Sequence, residues 1–392
     1  MKITKIETYI VSAGWKNWLF VKVLTDSGLY GIGEATLNGF AKTAEAAIHE
    51  LEHIVIGKDP CNVRSIASTI INTIQDAGHI HRMVMAAIEV ACWDILGKHL
   101  GVPIYQLLGG KVRDSVLAYA NGWYKAERTP EDFVKAAEKV ISKGFKAMKL
   151  DPFGTAQGFI NESELELSYE ILKAIREKIG PEIKIMIDVH IRFAPSEAIR
   201  AAKRLAPLDI FWWEEPITPE QELLTCEVAK KCPITVATGE RFDKVGQFAT
   251  LASGGGVNIW QPEPMSLGGI LNTIAVANLA EANACWIAPH QSGGPVQTVV
   301  CLQLAACIPN FLILEHFDPF NEPWTQDLVT WRPEINPDNG HLSFPDTPGL
   351  GVDLNMDVIL AHPYDPRAYL DIHQEGWEKR IGTPKIYHEN NR

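Results

Sequence analysis

Nowhere in this 392-residue chain do eighteen apolar residues run together, so no segment reads as a membrane-spanning helix. The opening MKITKIETYIVSAGW carries a charge every few residues and alternates like a strand, which fits neither a signal peptide nor a membrane span. Cysteine is sparse: the seven present (61, 92, 226, 232, 285, 301, 307) are odd in number, scattered and without a C-x-x-C pair, which argues against a disulfide framework or a zinc site. A long basic stripe is missing too. The formal charge is −12 with acids and bases mixed along the chain, so neither nucleic acid nor a membrane is expected as a partner. There is no low-complexity segment. What is plentiful is core-forming material, 46% of residues being hydrophobic, enough for one large domain and a smaller one. A cytoplasmic enzyme acting on a small molecule is the expectation.

Residues 2–11 and 18–25 (WLFVKVLT) alternate as strands, DSG at 26–28 signals a turn, and YGIGEA from 30 resumes the pattern, predicting an antiparallel meander. From 41 to about 100 the pattern is helical, with Ile88, Cys92, Ile95 and Leu96 on one face and a stop at Gly101–Pro103. After 115 the rhythm becomes short apolar strands, each followed by an amphipathic helix: SVLAYANG, AMKLD, IKIMIDVH, IFWWEE, ITVATGE, VNIWQPE, CWIAPH and FLILEHF. The polar residues closing these strands are regularly spaced, 26 residues from Asp188 to Glu214, 26 to Glu240, 23 to Glu263, 27 to His290 and 25 to Glu315. Each step suits one strand-helix unit, and in a parallel barrel such strand ends meet at a single mouth. The expected organisation is an α+β capping domain over 1–114, a barrel over 115–325, and a C-terminal segment, 326–392, completing the cap.

Three acids, Asp188, Glu214 and Glu240, end consecutive strands. Carboxylates crowded together repel unless something positive sits between them, and a magnesium-type ion with oxygen ligands is the simplest solution. In WWEEP either glutamate could point inward; Glu214 is preferred because its alternation partners, Trp212 and Pro216, leave it as the polar group of that face. Glu263 ends the strand before His290, and a carboxylate beside a histidine fixes its tautomer and raises its basicity, as a general base requires. Lys149 and Asp151 share a face in AMKLD. In IMIDVHIR, alternation points Asp188 and His190 the same way. Trp15 and Trp18, in the loop at 12–18, are candidates for closing over the mouth together with the loop at 36–41, or for packing against the barrel. His316 is expected to be structural.

Read in order, YGIGEA, AAIEVACWDILGKHLGVPIYQLLGG, KLD, DVH, WWEEP, TGER, QPE, APH, LEHF and PGLGVD resemble the enolase superfamily, in the mandelate racemase group, over roughly residues 1–355. That resemblance implies an α/β fold, a (β/α)7β TIM-like barrel under an α+β cap, with Mg²⁺ held by Asp188, Glu214 and Glu240. It further implies His290 and Glu263 as a catalytic dyad and Glu315 as an acid hydrogen-bonded to the substrate carboxylate. It implies a homo-oligomer, often an octamer. Racemases of the group carry Lys-x-Lys where this chain has Lys149 and Asp151. The DVH motif instead resembles the sugar-acid dehydratases, in which the histidine after the first metal ligand, here His190, protonates the departing 3-hydroxyl. YANGWY and KLDPFG are similar to archaeal gluconate dehydratases, and the two histidines to galactonate dehydratase. Two positions depart from the group: Glu263 stands where most members have Asp, and Ile191 where galactonate enzymes have Gly, whereas Arg192 is kept. The expected reaction is Mg-dependent removal of the C2 proton and 3-hydroxyl of an aldonic acid such as D-gluconate or D-galactonate, giving a 2-keto-3-deoxy acid. Lys149, Asp151, Arg192, Glu315, Trp15 and Trp18 would contact the substrate. The alternatives are a racemase, epimerase or cycloisomerase of a hydroxy acid, and a non-catalytic sugar-acid-binding barrel. A metal-dependent hydrolase would need an H-x-H on the first barrel strand, and AYANGWY has none.

Overall fold

The computed structural model describes residues 1–73 and 78–380. Strands β1 (Ile3–Ser12), β2 (Asn17–Thr25) and β3 (Tyr30–Glu34) form an antiparallel sheet in that order. Alternation turns Leu19, Val21 and Val23 of β2 to one face, where they share a core with α1 (Ala41–Val55), α2 (Val63–Thr73) and α3 (His79–Leu100). α3 lies against β3 so closely that only glycine fits: a Cβ on Gly31 would stand 1.9 Å from the Ala91 carbonyl oxygen, and one on Gly33 2.1 Å from that of Ala87. The opposite side of α3 carries Met83, Ala86 and Val90 into the barrel's core. A helix covered on both sides needs no polar face, so the single apolar face expected from Ile88, Cys92, Ile95 and Leu96 is only part of its buried surface.

After a short α4 (Ile104–Leu107), strands and helices alternate: β4 (Ser115–Ala120), α5 (Pro130–Ser142), β5 (Ala147–Leu150), α6 (Glu162–Ile179), β6 (Lys184–Asp188), α7 (Pro195–Leu205), β7 (Ile210–Glu214) and α8 (Glu222–Ala229). The series continues with β8 (Val236–Thr238), α9 (Val245–Gly254), β9 (Ile259–Trp260), α10 (Ile270–Ala282), β10 (Trp286–Ile287), α11 (Pro295–Cys307) and β11 (Leu314–His316). Local chemistry sets the helix starts. Thr129 Oγ1 accepts the Asp132 N–H at 3.3 Å ahead of Pro130, and Asn161 Oδ1 accepts the Glu164 N–H at 2.9 Å. The eight strands pair in parallel in the order β10-β9-β8-β7-β6-β5-β4-β11, and a parallel bridge from Ile287 to Phe311 closes the ring. This is the (β/α)7β barrel the sequence predicts.

The barrel's interior is filled by one side chain from each strand or its edge, with three alanines set among larger residues: Tyr119, Ala147, Met186, Trp212, Ala237, Ile259, Ala288 and Ile313. This packed layer is the floor on which the site is built.

The run from 326 divides between the two parts of the molecule. β12 (His341–Ser343) pairs antiparallel with the beginning of β4, extending the barrel sheet, whereas α12 (Met356–Ala361) packs on β1. Beyond it, the Asn17 amide donates to Asp365 O at 2.8 Å and the Asn38 amide to Leu370 O at 3.0 Å, which lays residues 365–370 along the cap. Residues 381–392 of the expected C-terminal segment lie outside the described residues. No described helix is long and apolar enough to cross a membrane.

Two buried carboxylates of the cap anchor it to the barrel. Glu34 accepts the N–H groups of Gly294 (2.5 Å) and Gln297 (3.0 Å) at the start of α11. Glu89 accepts those of Ile270 and Leu271, both at 3.0 Å, at the start of α10. Each satisfies orphan donors of a helix N-terminus, where the dipole also favours negative charge.

Candidate active site

Strand alternation raises the site from its floor. Two residues beyond the packed layer, on the same face, stand Asn121 above Tyr119, Lys149 above Ala147, Asp188 above Met186, Glu214 above Trp212, His290 above Ala288 and Glu315 above Ile313. The corresponding place above Ala237 is Gly239, so Glu240 comes from the turn that follows β8. Glu263 and His290 also lie just past their formal strands.

One carboxylate oxygen from each of Asp188, Glu214 and Glu240 lies within 4.8 Å of the other two, and all three residues are buried. Glu214 is the inward member of its pair. Glu215 turns away, accepting from Thr238 Oγ1 and from the Gly239 N–H at 3.0 Å. Lys149, wholly buried, hydrogen-bonds Glu214 and stands 3.0 Å from Glu315 Oε1 and 3.3 Å from Asp188 Oδ2. Burial alone would lower its pKa, but the Glu214 and Glu315 carboxylates outweigh that and hold it well above the ordinary value. One lysine does not neutralise the cluster. Burial, and then Asp188 and Glu240, still push the Glu214 carboxyl well up despite Lys149. Glu240 Oε2, buried, has no hydrogen-bond partner among the described residues. Three hard oxygen donors with an orphaned lone pair among them fit a divalent ion of the Mg²⁺ class.

Two histidines flank the triad, each braced by its own acid. His290 Nδ1 lies 2.7 Å from Glu263 Oε2, and its Nε2 3.6 Å from Glu240 Oε2. The Gln297 amide donates to Glu263 Oε1 at 3.1 Å and fixes that carboxylate in turn. The longer Glu263, in the place of the usual Asp, thus still reaches its histidine. Burial would lower the His290 pKa, but Glu240 first and then Glu263 raise it to about 10, so positive charge placed on Glu240 brings it back toward the range of a working base.

On the other side, His190 Nδ1 lies 2.7 Å from Asp151 Oδ2, and its Nε2 3.3 Å from Asp188 Oδ2. His190 is not a continuation of the strand. β6 ends at Asp188, and His190 and Ile191 take left-handed conformations, φ 50° and 56°, that turn the ring back beside Asp188. Alternation thus leads to the right neighbour although the backbone uses a turn to get there.

Some expected substrate contacts lie elsewhere. Asp151 and Arg192 are buried away from the mouth, and the Arg192 Nε and Nη2 groups donate to Asp151 Oδ2 at 3.0 and 2.8 Å. Burial would raise the Asp151 carboxyl, but Arg192 and then His190 hold it below its usual value. Both residues therefore brace His190: Asp151, one residue past the end of β5, bonds His190, Arg192 and the Phe153 N–H and does not line the cavity. Glu315 has both oxygens engaged. Oε1 takes Lys149 and the Asn121 amide (2.6 Å), and Oε2 takes the Gln291 N–H at 2.9 Å, so it anchors Lys149. Trp15 lines the mouth, with its indole donating to Asn321 Oδ1 at 3.0 Å; Trp18 is buried and does not line it.

The mouth is a cavity of about 370 Å³. Among the lining residues not singled out from the sequence are Lys16, Asn121, Arg241 and Arg380. Lys16 Nζ donates to Ser292 O at 2.8 Å, and burial lowers its pKa to about 8. Asn121 was accessible to the alternation argument, being two residues past Tyr119; Lys16 and Arg380 arrive on loops and carry no periodic signal. Gln261, two residues past Ile259, is a further inward polar side chain, wholly buried, with neither amide atom partnered among the described residues.

Sequence and structure comparisons converge. A family model for the mandelate racemase / muconate lactonizing enzyme N-terminal domain matches residues 3–109, and one for an enolase C-terminal domain-like unit matches 132–358. The chain is 33% identical over 366 residues to a D-galactonate dehydratase of Pectobacterium atrosepticum, spanning 92% of this chain and 94% of that protein. It is 31% identical to a D-gluconate dehydratase of Thermoproteus tenax over 90% of this chain and 71% of that one. The crystal structure of a mandelate racemase/muconate lactonizing enzyme from Jannaschia sp. CCS1 superposes with a TM-score of 0.85 at 32% identity, covering 93% of this chain and 98% of that one.

Proposed function

The chain belongs to the mandelate racemase/muconate lactonizing enzyme family of the enolase superfamily, and from that premise we propose that it is a hydro-lyase of sugar acids. Its substrate on this reading is an aldonic acid such as D-gluconate or D-galactonate, and its product a 2-keto-3-deoxy acid. One observation carries the proposal: two imidazoles, each braced at Nδ1 by a separate carboxylate, present Nε2 beside different members of the acid triad. Dehydration needs two proton movements at neighbouring carbons, and two independently oriented histidines supply them. At the position of the racemases' second lysine, Asp151 instead serves His190.

Asp188, Glu214 and Glu240 would hold Mg²⁺. Bound there, the ion supplies a Lewis acid for the substrate carboxylate, acidifying the C2 proton. Lys149, spread across Asp188, Glu214 and Glu315, keeps a fixed positive charge beneath the developing negative charge. His290, oriented by Glu263, takes the proton from C2. His190, oriented by Asp151, gives a proton to the 3-hydroxyl, which leaves as water, and the resulting enol tautomerises to the keto acid.

The assignment of roles is tested by separating exchange from elimination. In D₂O, His290→Asn is expected to lose both deuterium incorporation at C2 and keto-acid formation. His190→Asn and Asp151→Asn should lower kcat for dehydration by about 10²-fold or more while C2 exchange survives. Dehydration left intact in His190→Asn, or rapid C2 exchange by the wild type without any keto acid from a panel of sugar acids, would count against the reading and favour a racemase or epimerase.

A further inference from the structure

His190 stands past the end of β6 in a left-handed turn, so no sheet ladder fixes its ring, and its surroundings are completed by the far end of the chain. The run that Asn17 and Asn38 hold along the cap at 365–370 goes on to line the mouth and reaches the barrel beside this histidine. There the Trp377 ring meets the imidazole edge to face, with centroids 6.0 Å apart and planes at 88°. The Arg192 guanidinium lies over the same indole at 5.7 Å, and the indole N–H is tied to Gly154 O at 3.1 Å.

Arg192 shows how much of the brace this run supplies. A guanidinium has five N–H donors, and here each has a partner. Nε and one Nη2 donor go to Asp151, the other Nη2 donor reaches Ile372 O at 2.9 Å, and the Nη1 donors reach Ala156 O at 3.3 Å and His373 Nδ1 at 3.4 Å. Ile372 and His373 belong to the run, and without them a buried charged group would keep unmatched donors. Arg192 in turn holds Asp151, and Asp151 holds the imidazole at Nδ1. His290 is held differently, because Glu263 and Gln297, which brace it, both come from the barrel. We propose that Trp377, with the run at 372–377 that carries it, is a positioning residue for His190, acting on the ring directly and through Arg192. This rests on His190 being the acid of the dehydration, and it implies an asymmetry: loss of Trp377 impairs departure of the 3-hydroxyl and spares proton removal by His290.

Two measurements test this, one of them independent of turnover. In the whole protein with Mg²⁺ and ¹⁵N-labelled histidine, NMR is expected to show a downfield imidazole N–H signal that His190→Asn removes. Trp377→Ala should shift or broaden that signal and leave in place the one that His290→Asn removes. In D₂O with a panel of sugar acids, Trp377→Ala should lower kcat for keto-acid formation at least about tenfold while C2 exchange stays within about twofold of the wild type. Trp377→Phe, which keeps an aromatic edge beside the imidazole, should restore most of the loss, and Trp377→Leu covers the case in which Trp377→Ala does not fold. Exchange and elimination falling together, KM rising with kcat unchanged, or a His190 signal absent from the wild type or unchanged in the folded variants would overturn the proposal. If the wild type turns over no sugar acid, the dehydratase reading fails by itself, and the histidine spectra still decide whether Trp377 positions His190.

Discussion

Ile191 holds a backbone conformation, φ 56°, that a β-branched residue disfavours by about 1–3 kcal/mol. The turn it makes is what places the His190 ring between Asp151 and Asp188. Replacing it with glycine should therefore cost less than about 1 kcal/mol, against the 2–5 kcal/mol usual when a large apolar side chain is removed, because relief of strain offsets lost packing. Thermal unfolding of Ile191→Gly checks this, and a drop typical of a core deletion would show the turn to be unstrained. At this scale the sequence was informative wherever period-two alternation applied. It turned Glu214 rather than Glu215 inward, while the spacing of strand ends brought Asp188, Glu214, Glu240, Glu263, His290 and Glu315 to one mouth; the face it gave Asp151 beside Lys149 does not reach the cavity. It said less where a role depends on a partner distant in the chain. Asp151 and Arg192 look like surface-seeking polar residues at a barrel mouth, and only the fold reveals that they meet each other and His190.

Carboxylates at the end of β3 and within α3 join the cap to two barrel helices. Glu34 and Glu89 are buried against the first turns of α11 and α10, and burial raises both carboxyls from an ordinary 4.5 to about 7. Between those values the folded protein binds more protons than the unfolded chain, so stability falls as pH rises through this window and levels off above it. Melting temperatures measured from pH 4.5 to 8 should show that slope in the wild type and a shallower one in Glu34→Gln and Glu89→Gln. An identical slope in the variants would mean other groups dominate. None of this contact was legible beforehand. α3 reads as an ordinary amphipathic helix because the pattern reports apolar positions without saying that sheet and barrel cover it from two sides. The stretch from 326 offered no periodicity, and its division between β4 and the cap rests on short hydrogen-bonded contacts that leave no trace in composition.

For the molecule as a whole, the spacing of 23 to 27 residues between strand-ending polar groups was sufficient to foresee a closed barrel with one mouth, since each interval is one strand-helix unit. That mouth gathers three carboxylates within 4.8 Å of one another, an arrangement that costs stability unless positive charge stands among them. Adding Mg²⁺ should raise the melting temperature in proportion to the logarithm of its concentration above Kd, and a chelator should reverse the change. Asp188→Asn should abolish the shift; a Mg²⁺ response that survives this change would place the ion elsewhere. The glutamate clamps at α10 and α11 also constrain how such a protein can be rebuilt. Pulling the cap away would strip two barrel helices of their first-turn partners, so any opening and closing would fall to the loops around Trp15 and Asn38 and the turn-rich run at 369–380, not to a swinging domain. A cap grafted from another member of the family should therefore succeed only if it brings carboxylates to both helix ends. New substrate preferences are more readily reached by rewriting loops on a fixed cap than by exchanging caps.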